Sequence, residues 1–159
     1  VKQEILLITE EGKEEEALTR LSRVGYDHSI GYLKGGFKTW KEAGKEVDQV
    51  QRITPEAFEK NLKSDKVKVF DFRKKSEYDS EHVVDAMNIP LNQINQNLAQ
   101  IPKEEPFMIH CAGGYRSMIA ASILKQRGWS NFVDVRGGLD AIKNTDAKLT
   151  EYVCPTTLL

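Results

Sequence analysis

The stretch Ile109-His110-Cys111-Ala112-Gly113-Gly114-Tyr115-Arg116-Ser117-Met118 joins a predicted β-strand to a predicted α-helix. The apolar run 107–110 is typical of a buried strand, and the sequence predicts a helix over 117–126, after the two glycines. These glycines allow backbone N–H groups to converge on one point, where the helix dipole also stabilises a thiolate. We therefore predict that Cys111 is a sulfur nucleophile or a thiol that holds an anion, although a lone cysteine at a strand end is commonly a small buried apolar residue.

The composition indicates an ordinary soluble globular protein. The chain has 159 residues, of which 40% are apolar and 30% charged, and its formal net charge is −1. This charge gives no reason to expect nucleic acid or a membrane as a partner, and no apolar run approaches the roughly 20 residues that span a bilayer. Two cysteines are too few for a disulfide-rich secreted protein, so we expect a cytoplasmic location. The start has neither a signal peptide nor an initiator methionine, which is typical of a fragment or a processed chain.

A faint internal repeat is present. Residues 5–8 and 107–110 are apolar strand candidates, and each is followed by a loop, a helix, a second strand and a Gly-Gly pair. Gly25 and Gly128 are 103 residues apart, and the pairs beginning at Gly35 and Gly137 are 102 residues apart. The chain therefore contains two related segments.

The second copy has additional elements upstream of its cysteine loop. Thr54-Pro55-Glu56 is typical of a helix N-terminus, and Phe58 and Leu62 lie four residues apart on that helix. A strand at 67–70 and a short helix from Leu91 follow. The alternation of strands and helices predicts an α/β fold with a parallel sheet and helices on both faces. We predict four segments: the C-terminal half of one domain at 1–46, a linker at 47–51, a complete domain at 52–145 and a C-terminal tail at 146–159.

The second copy resembles the rhodanese family of sulfurtransferases over residues 52–145. Four motifs carry this resemblance in order: Asp71-Phe72-Arg73, the stretch from Glu77 to Pro90, the loop from Cys111 to Arg116, and Gly137-Gly138. The resemblance implies a rhodanese-like sheet, preceded in this chain by a partial second copy. It also implies that Cys111 is catalytic and takes up a sulfane sulfur as a persulfide.

The resemblance assigns roles to the other site residues. Ala112, Gly113, Gly114, Tyr115 and Arg116 are expected to bind the substrate, and Arg116 is expected to contact an anion such as thiosulfate, although a solvated surface charge is its alternative. Asp71, Arg73 and Ser117 are expected to support the loop, Ser117 by capping the helix. Glu77 and His82 are expected to be structural. Glu81 and Asp85 stand where the family commonly has glycine, so the sequence leaves that turn geometry open.

The spacing between Cys111 and Arg116 favours sulfur transfer. Four residues separate them, whereas the related phosphatases of the same fold have five, which widens the loop for a phosphate. We predict a double displacement in which small sulfur-containing anions or persulfides donate a sulfane sulfur to Cys111, and a thiol, sulfite or cyanide accepts it. A non-catalytic binding or regulatory module is the alternative from another class, and a phosphatase or arsenate reductase is the alternative enzyme.

The remaining reactive side chains are not expected to share in this chemistry. His110 precedes Cys111 in a strand and should point to the opposite face, so we predict a packed histidine rather than a general base. No group of side chains has metal-ligand spacing, so we expect no metal and no cofactor. Cys154 could resolve a persulfide by exchange, or it could be a mobile tail cysteine, and the sequence leaves its role open.

The first copy has an acidic segment, Thr9-Glu10-Glu11-Gly12-Lys13-Glu14-Glu15-Glu16, where the second has its cysteine loop. It has no thiol, and its carboxylates would repel an anionic substrate, so we predict an inactive copy. An inactive module before an active one also resembles the end of bacterial fusions that carry a metallo-β-lactamase-like persulfide dioxygenase upstream. Such an upstream domain is therefore an expected partner.

Overall fold

The chain folds into two compact units, Val1–Gln49 and Val50–Leu159. The computed structural model describes residues 2–64 and 67–154. The division between the units falls inside the segment 47–51 that was predicted as a linker. No described helix is both long and apolar enough to cross a lipid bilayer.

The first unit is a small α/β arrangement. Its elements are β1 (Ile5–Leu7), α1 (Glu14–Ser22), β2 (Ser29–Tyr32) and α2 (Gly36–Glu42). The two strands pair in parallel, as expected when a helix connects them. Three glutamates occupy the first turn of α1, at the positive end of its helix dipole. Their interaction with the dipole gives the acidic segment 9–16 a local structural explanation.

The second unit contains the larger sheet. Its elements are β3 (Arg52–Ile53), α3 (Pro55–Ser64), β4 (Lys68–Asp71), α4 (Lys75–Ser80), β5 (Met87–Asn88), two 3-10 helices (Leu91–Gln96 and Leu98–Gln100), β6 (Phe107–His110), α5 (Tyr115–Gln126), β7 (Phe132–Val135) and α6 (Gly138–Ile142). The described strands are arranged in the order β3-β7-β6-β4-β5, and every pairing is parallel. The predicted α/β class with a parallel sheet is confirmed.

Apolar residues cover both faces of this sheet because neighbouring strand residues point in opposite directions. Ile109 lies on the face that packs against α5, with Phe70 beside it. Met108 lies on the other face, together with Val69 and with Phe58 of α3. Burial on both faces explains why β6 is an uninterrupted apolar run up to its last residue, and why the sequence predicted its bounds correctly.

Two local features of the second unit bear on the sequence predictions. The hydroxyl of Thr54 accepts a hydrogen bond from the Ala57 N–H at 3.3 Å, so the predicted N-terminus of α3 is confirmed. Asp85 has φ of 65°, so it adopts the left-handed conformation that a glycine would favour. Glu81 is extended, with φ of −170°, a conformation open to any residue. The turn therefore keeps a glycine-like geometry at Asp85 only.

The segment predicted as a C-terminal tail, 146–159, belongs to the second unit, and its residues up to Val153 are hydrogen bonded to the turn after α4. The N–H groups of Thr150 and Val153 donate to the carbonyl oxygens of His82 and Ser80, both at distances of 2.8–2.9 Å. Cys154 is exposed beside this pairing, and residues 155–159 lie outside the described part of the chain.

The glycine pairs have the same geometry in both units. Gly36 and Gly138 have φ of 58° and 57°, and each begins a helix. A Cβ on Gly36 would lie 2.1 Å from the carbonyl oxygen of Thr9, and one on Gly138 would lie 2.2 Å from that of Ala112. Only glycine permits so close an approach of the helix to the preceding loop. This shared contact supports the internal repeat.

We predict that Gly138→Ala destabilises the protein by about 3 kcal/mol, because a left-handed backbone is combined with a clash against fixed backbone atoms. Gly128→Ala is the matched control. Gly128 also has positive φ, but its Cβ would meet only the flexible Lys103 side chain at 3.9 Å, so we expect a loss of about 1 kcal/mol. Urea denaturation of both variants measures the difference, and equal losses would contradict the role of the close contact.

Candidate active site

Cys111 lies directly after β6, at the carboxyl end of a central strand. Its side chain is 1% exposed, and its Sγ accepts a hydrogen bond from the Gly114 N–H at 3.2 Å. Gly114 has φ of 96° and precedes α5, whose first-turn N–H groups lack partners within the helix. The sulfur is therefore held at a helix N-terminus by a backbone donor, which is an environment that stabilises a negative charge.

The carbonyl side of the loop is bound by the next helix. The N–H of Leu139 donates to the Cys111 carbonyl oxygen at 2.8 Å, and that of Asp140 donates to the Ala112 carbonyl oxygen at 3.1 Å. Gly138 makes this approach possible because it has no Cβ. The carbonyl groups of Cys111 and Ala112 thus accept hydrogen bonds from α6. The N–H groups around the sulfur are therefore not needed as donors to these carbonyl groups.

His110 is buried and in edge-to-face contact with Phe58, so the predicted packed histidine is confirmed. Its Nδ1 lies 3.1 Å from the Cys111 carbonyl oxygen. Because a carbonyl only accepts, Nδ1 carries the hydrogen in this contact. Burial lowers the pKa of His110 below its ordinary value, and the imidazole is therefore neutral at pH 7.

Arg116 and Glu77 form a two-point ion pair beside the loop. Nη1 and Nη2 of Arg116 donate to the two carboxylate oxygens of Glu77, at 2.5 and 2.8 Å. The hydrogen bond from Arg116, opposed by partial burial, lowers the pKa of Glu77, so the carboxylate is charged at neutral pH. The ion pair with Arg116 supports the predicted structural role of Glu77. Substrate binding by Arg116 stays a prediction.

Asp71 and Arg73 form a second, fully buried ion pair. Arg73 Nε donates to both Asp71 carboxylate oxygens at 3.0 and 2.8 Å, and Nη2 donates to the Glu81 carbonyl oxygen at 2.7 Å. The N–H of Phe72, between them, donates to the His110 carbonyl oxygen at 3.0 Å. The pair therefore holds a turn that is joined to β6 one residue before Cys111.

The helix after the loop begins earlier than the sequence indicated. It was predicted from Ser117, but α5 begins at Tyr115, because Gly114 takes the left-handed conformation and acts as the N-cap. The expectation that Ser117 caps the helix is wrong. Its hydroxyl lies inside the first turn and donates to the Gly114 carbonyl oxygen at 3.2 Å, where it ties the helix to the loop. Tyr115, the first residue of α5, is 81% exposed beside the cysteine loop.

Sequence reasoning missed a third ion pair at the site, between Arg52 and Asp134. Arg52 Nε donates to the buried carboxylate of Asp134 at 2.9 Å, and the Arg52 side chain lines an open groove next to Gly113 and Gly114. Arg52 lies on edge strand β3, and the sequence does not indicate which strand pairs with that edge. The detectable signal was Asp134, a carboxylate inside the apolar strand 132–135.

Comparisons with known proteins show which sequences and folds this chain is similar to. The sequence profile of the family described as "Rhodanese-like domain" matches residues 54–145. A protein named "Sulfurtransferase" from Allochromatium vinosum is 30% identical over 93 residues, which cover 58% of this chain and 87% of that protein.

Solved structures share the fold. A rhodanese-like domain protein from Staphylococcus aureus is 30% identical with a TM-score of 0.59, and the match covers 65% of this chain and all of that one, 100%. A thiosulfate sulfurtransferase from Pseudomonas aeruginosa is 20% identical with a TM-score of 0.58. That match covers 94% of this chain, and so includes the first unit, and 33% of the other chain.

We predict that Glu77→Gln lowers the free energy of unfolding by about 0.5–1 kcal/mol at pH 7, the range for a partly exposed ion pair. Folding lowers the pKa of Glu77, so its contribution is present above the ordinary value of 4.5 and is lost as the pH falls through the folded pKa. The difference between wild type and variant should therefore shrink below pH 4.5 in urea titrations. Asp79→Asn, which removes an exposed pair with Lys75 on the same helix, is the control. A difference that does not change with pH would contradict the ion-pair explanation.

Proposed function

The chain belongs to the rhodanese-like family, and from this premise we propose that its second unit is a sulfurtransferase that carries a sulfane sulfur on Cys111. The observation that carries the proposal is the buried Cys111 Sγ at the N-terminus of α5, with the Gly114 N–H 3.2 Å away. A persulfide extends about 2 Å beyond Sγ, the length of one S–S bond. Its terminal sulfur is an anion that the loop N–H groups stabilise.

The proposed reaction has two displacements at one sulfur atom. In the first, the Cys111 thiolate attacks the outer sulfur of thiosulfate, the S–S bond of the donor breaks, and sulfite leaves with the bonding electron pair. In the second, an acceptor attacks the terminal sulfur of the Cys111 persulfide and regenerates the thiolate. Cyanide leaves as thiocyanate, sulfite as thiosulfate, and a thiol as a new persulfide. A low-molecular-weight persulfide can replace thiosulfate as donor, and then a thiolate leaves instead of sulfite.

The residues in and around the loop have different roles in this mechanism. Gly113 and Gly114 shape the backbone around the sulfur, and Ala112 turns its carbonyl group to Asp140 of α6. Asp71, Arg73 and Ser117 keep the loop in place through the contacts described above. We assign no base role to His110, because its ring is packed against Phe58 and its hydrogen bond is to the Cys111 carbonyl oxygen rather than to the sulfur.

A non-catalytic docking module and a phosphatase are the alternative functions. A docking module does not need a glycine-rich loop that points an N–H at a buried thiol. A phosphatase needs a wider loop than the four residues between Cys111 and Arg116. Both features favour sulfur transfer.

We further propose that the first unit is the C-terminal half of an inactive copy of the same domain. Thr9 occupies the place of the cysteine loop against Gly36, so the copy has no thiol there. Three side chains of this unit are exposed whose counterparts in the second unit are buried. These are Leu6 at 71%, Phe37 at 56% and Trp40 at 38%, against Met108, Leu139 and Ile142 at 2% or less. The counterparts are covered by α3 and β4, which the first unit lacks.

We predict that wild type incubated with thiosulfate gains the mass of one sulfur atom, and that cyanide then releases it as thiocyanate. Cys111→Ser should lower the turnover by at least about 10³-fold, because it removes the nucleophile and the first unit supplies no substitute. Intact-mass spectrometry and a colorimetric thiocyanate assay give the two readouts.

Cys154→Ser is the matched control, because it removes the other thiol and should keep the activity. Thiocyanate formation by Cys111→Ser, or a sulfur adduct on Cys154 alone, would contradict the proposal. Release of phosphate from an aryl phosphate without sulfur transfer would favour the phosphatase.

A further inference from the structure

We propose that Arg52 and the groove beside Gly114 form a subsite for the carboxylate of an organic thiol or persulfide, the partner that exchanges sulfur with Cys111. The inference rests on the proposed sulfur transfer and adds to it the chemical class of the preferred acceptor and donor. It also assigns a specificity-determining role to a residue outside the cysteine loop.

A buried carboxylate holds Arg52 in place, but it occupies only one of the three guanidinium nitrogens. Its Nε donates to Asp134 Oδ2 at 2.9 Å, and Asp134 is fully buried while Arg52 is 36% exposed. This single-atom contact leaves the two terminal nitrogens of Arg52 without a hydrogen bond among the described residues. Nη2 lies 3.4 Å from the position that a Cβ on Gly114 would occupy. A guanidinium with two available nitrogens therefore faces the backbone that holds the Cys111 sulfur.

The other arginine at the loop is engaged differently. Both terminal nitrogens of Arg116 are bound to the two oxygens of Glu77, so each already has a carboxylate partner. A carboxylate prefers a guanidinium that can offer two parallel N–H groups, and Arg52 is the one that offers them. Of Arg116 and Arg52, Arg52 is therefore the better anion receptor.

The groove that Arg52 lines suits an organic molecule. It has a volume of about 640 Å³, far more than a thiosulfate ion fills. Tyr115, Met118 and Ile119 form its apolar side along one face of α5, and Ile119 is 41% exposed. Apolar side chains stabilise the carbon chain of a ligand, while a single cation fixes its orientation.

One acidic group borders the same region and narrows the choice of ligand. Asp140 Oδ2 lies 3.7 Å from the position of a Cβ on Gly113, on the side of α6. A ligand therefore meets a positive charge at Arg52 and a negative one beyond Gly113. This arrangement favours one carboxylate placed at Arg52 over a ligand that spreads several negative charges along the loop.

A matched pair of thiols tests the inference in the full chain. Enzyme is loaded with sulfur from thiosulfate, freed of sulfite, and mixed with 3-mercaptopropionate or with 3-mercapto-1-propanol, which replaces the carboxylate by a neutral hydroxymethyl group. In both reactions the thiolate attacks the terminal sulfur, an organic persulfide leaves, and the Cys111 thiolate returns. Loss of the sulfur mass with time yields a second-order rate constant for each thiol.

The informative quantity is the ratio of the two rate constants. We expect the double variant Arg52→Gln, Asp134→Asn to lower the ratio of carboxylate to alcohol about tenfold, the low end for one charge-assisted hydrogen bond at a partly solvated site. The second substitution neutralises the carboxylate that would otherwise stay buried without a partner. Arg52→Lys keeps the charge and should recover part of the ratio. A merely structural role of Arg52 would slow both thiols equally and leave the ratio unchanged.

Arg127→Gln is the matched control, since it removes an arginine at the far end of α5, about 18 Å along the helix from the loop. It should leave the ratio unchanged, and an equal effect of Arg127→Gln would overturn the subsite in favour of net charge. An unchanged ratio in the double variant would overturn the Arg52 inference alone. Wild type that takes up no sulfur from thiosulfate or an organic persulfide would overturn the proposed function itself.

Discussion

The structure of the site depends on one backbone contact, the approach of the α6 N-terminus to the carbonyl groups of Cys111 and Ala112. The N–H groups of Leu139 and Asp140 bind these two carbonyl oxygens at 2.8 and 3.1 Å. With its carbonyl groups held on that side, the loop can turn the Gly114 N–H towards the sulfur. A Cβ at Gly138 would lie 2.2–2.5 Å from the same two oxygens, so the whole arrangement depends on the absence of one methyl group.

The first unit shows that the close approach of glycine to a loop carbonyl belongs to the fold rather than to the chemistry. Gly36 approaches the carbonyl oxygen of Thr9 in the same way, although no thiol is present there. The close approach of the helix to the end of the strand therefore forms in both units, whereas a thiol is present at the strand end only in the second. If the first unit is the inactive copy that we propose, this separation allows it to keep the local structure without a thiol.

Three arginine–carboxylate pairs surround the loop in the second unit, and they differ in burial. Asp71–Arg73 is buried, Glu77–Arg116 is partly exposed, and Asp134–Arg52 joins a buried carboxylate to a partly exposed arginine. Buried ion pairs contribute little net stability, because removal of the charges from water costs as much as their attraction returns. Their value here is geometric, since each fixes the end of a strand or helix that touches residues 111–116.

The sequence by itself determined the α/β class, strand β6 and the start of α3, and it singled out Cys111 as the proposed nucleophile. These follow from local physics: apolar runs for strands buried on both faces, Thr-Pro for a helix start, and glycines next to a cysteine for an anion-binding loop. The start of α5 was missed by two residues, since whether Gly114 or Ser117 caps the helix depends on the backbone conformation that the contact with α6 imposes.

Only the tertiary structure decided which charges reach the site. Arg52 and Asp134 are far apart in the chain and meet because β3 pairs with β7 at the sheet edge, and Glu77 reaches Arg116 because α4 follows the strand beside β6. The composition of a strand does not specify its neighbour, so the pairing order β3-β7-β6-β4-β5 had to be observed. The backbone loop around Cys111 is specified by neighbouring residues and can be predicted from the sequence. The charges around it are brought together by the pairing of strands that are distant in the chain.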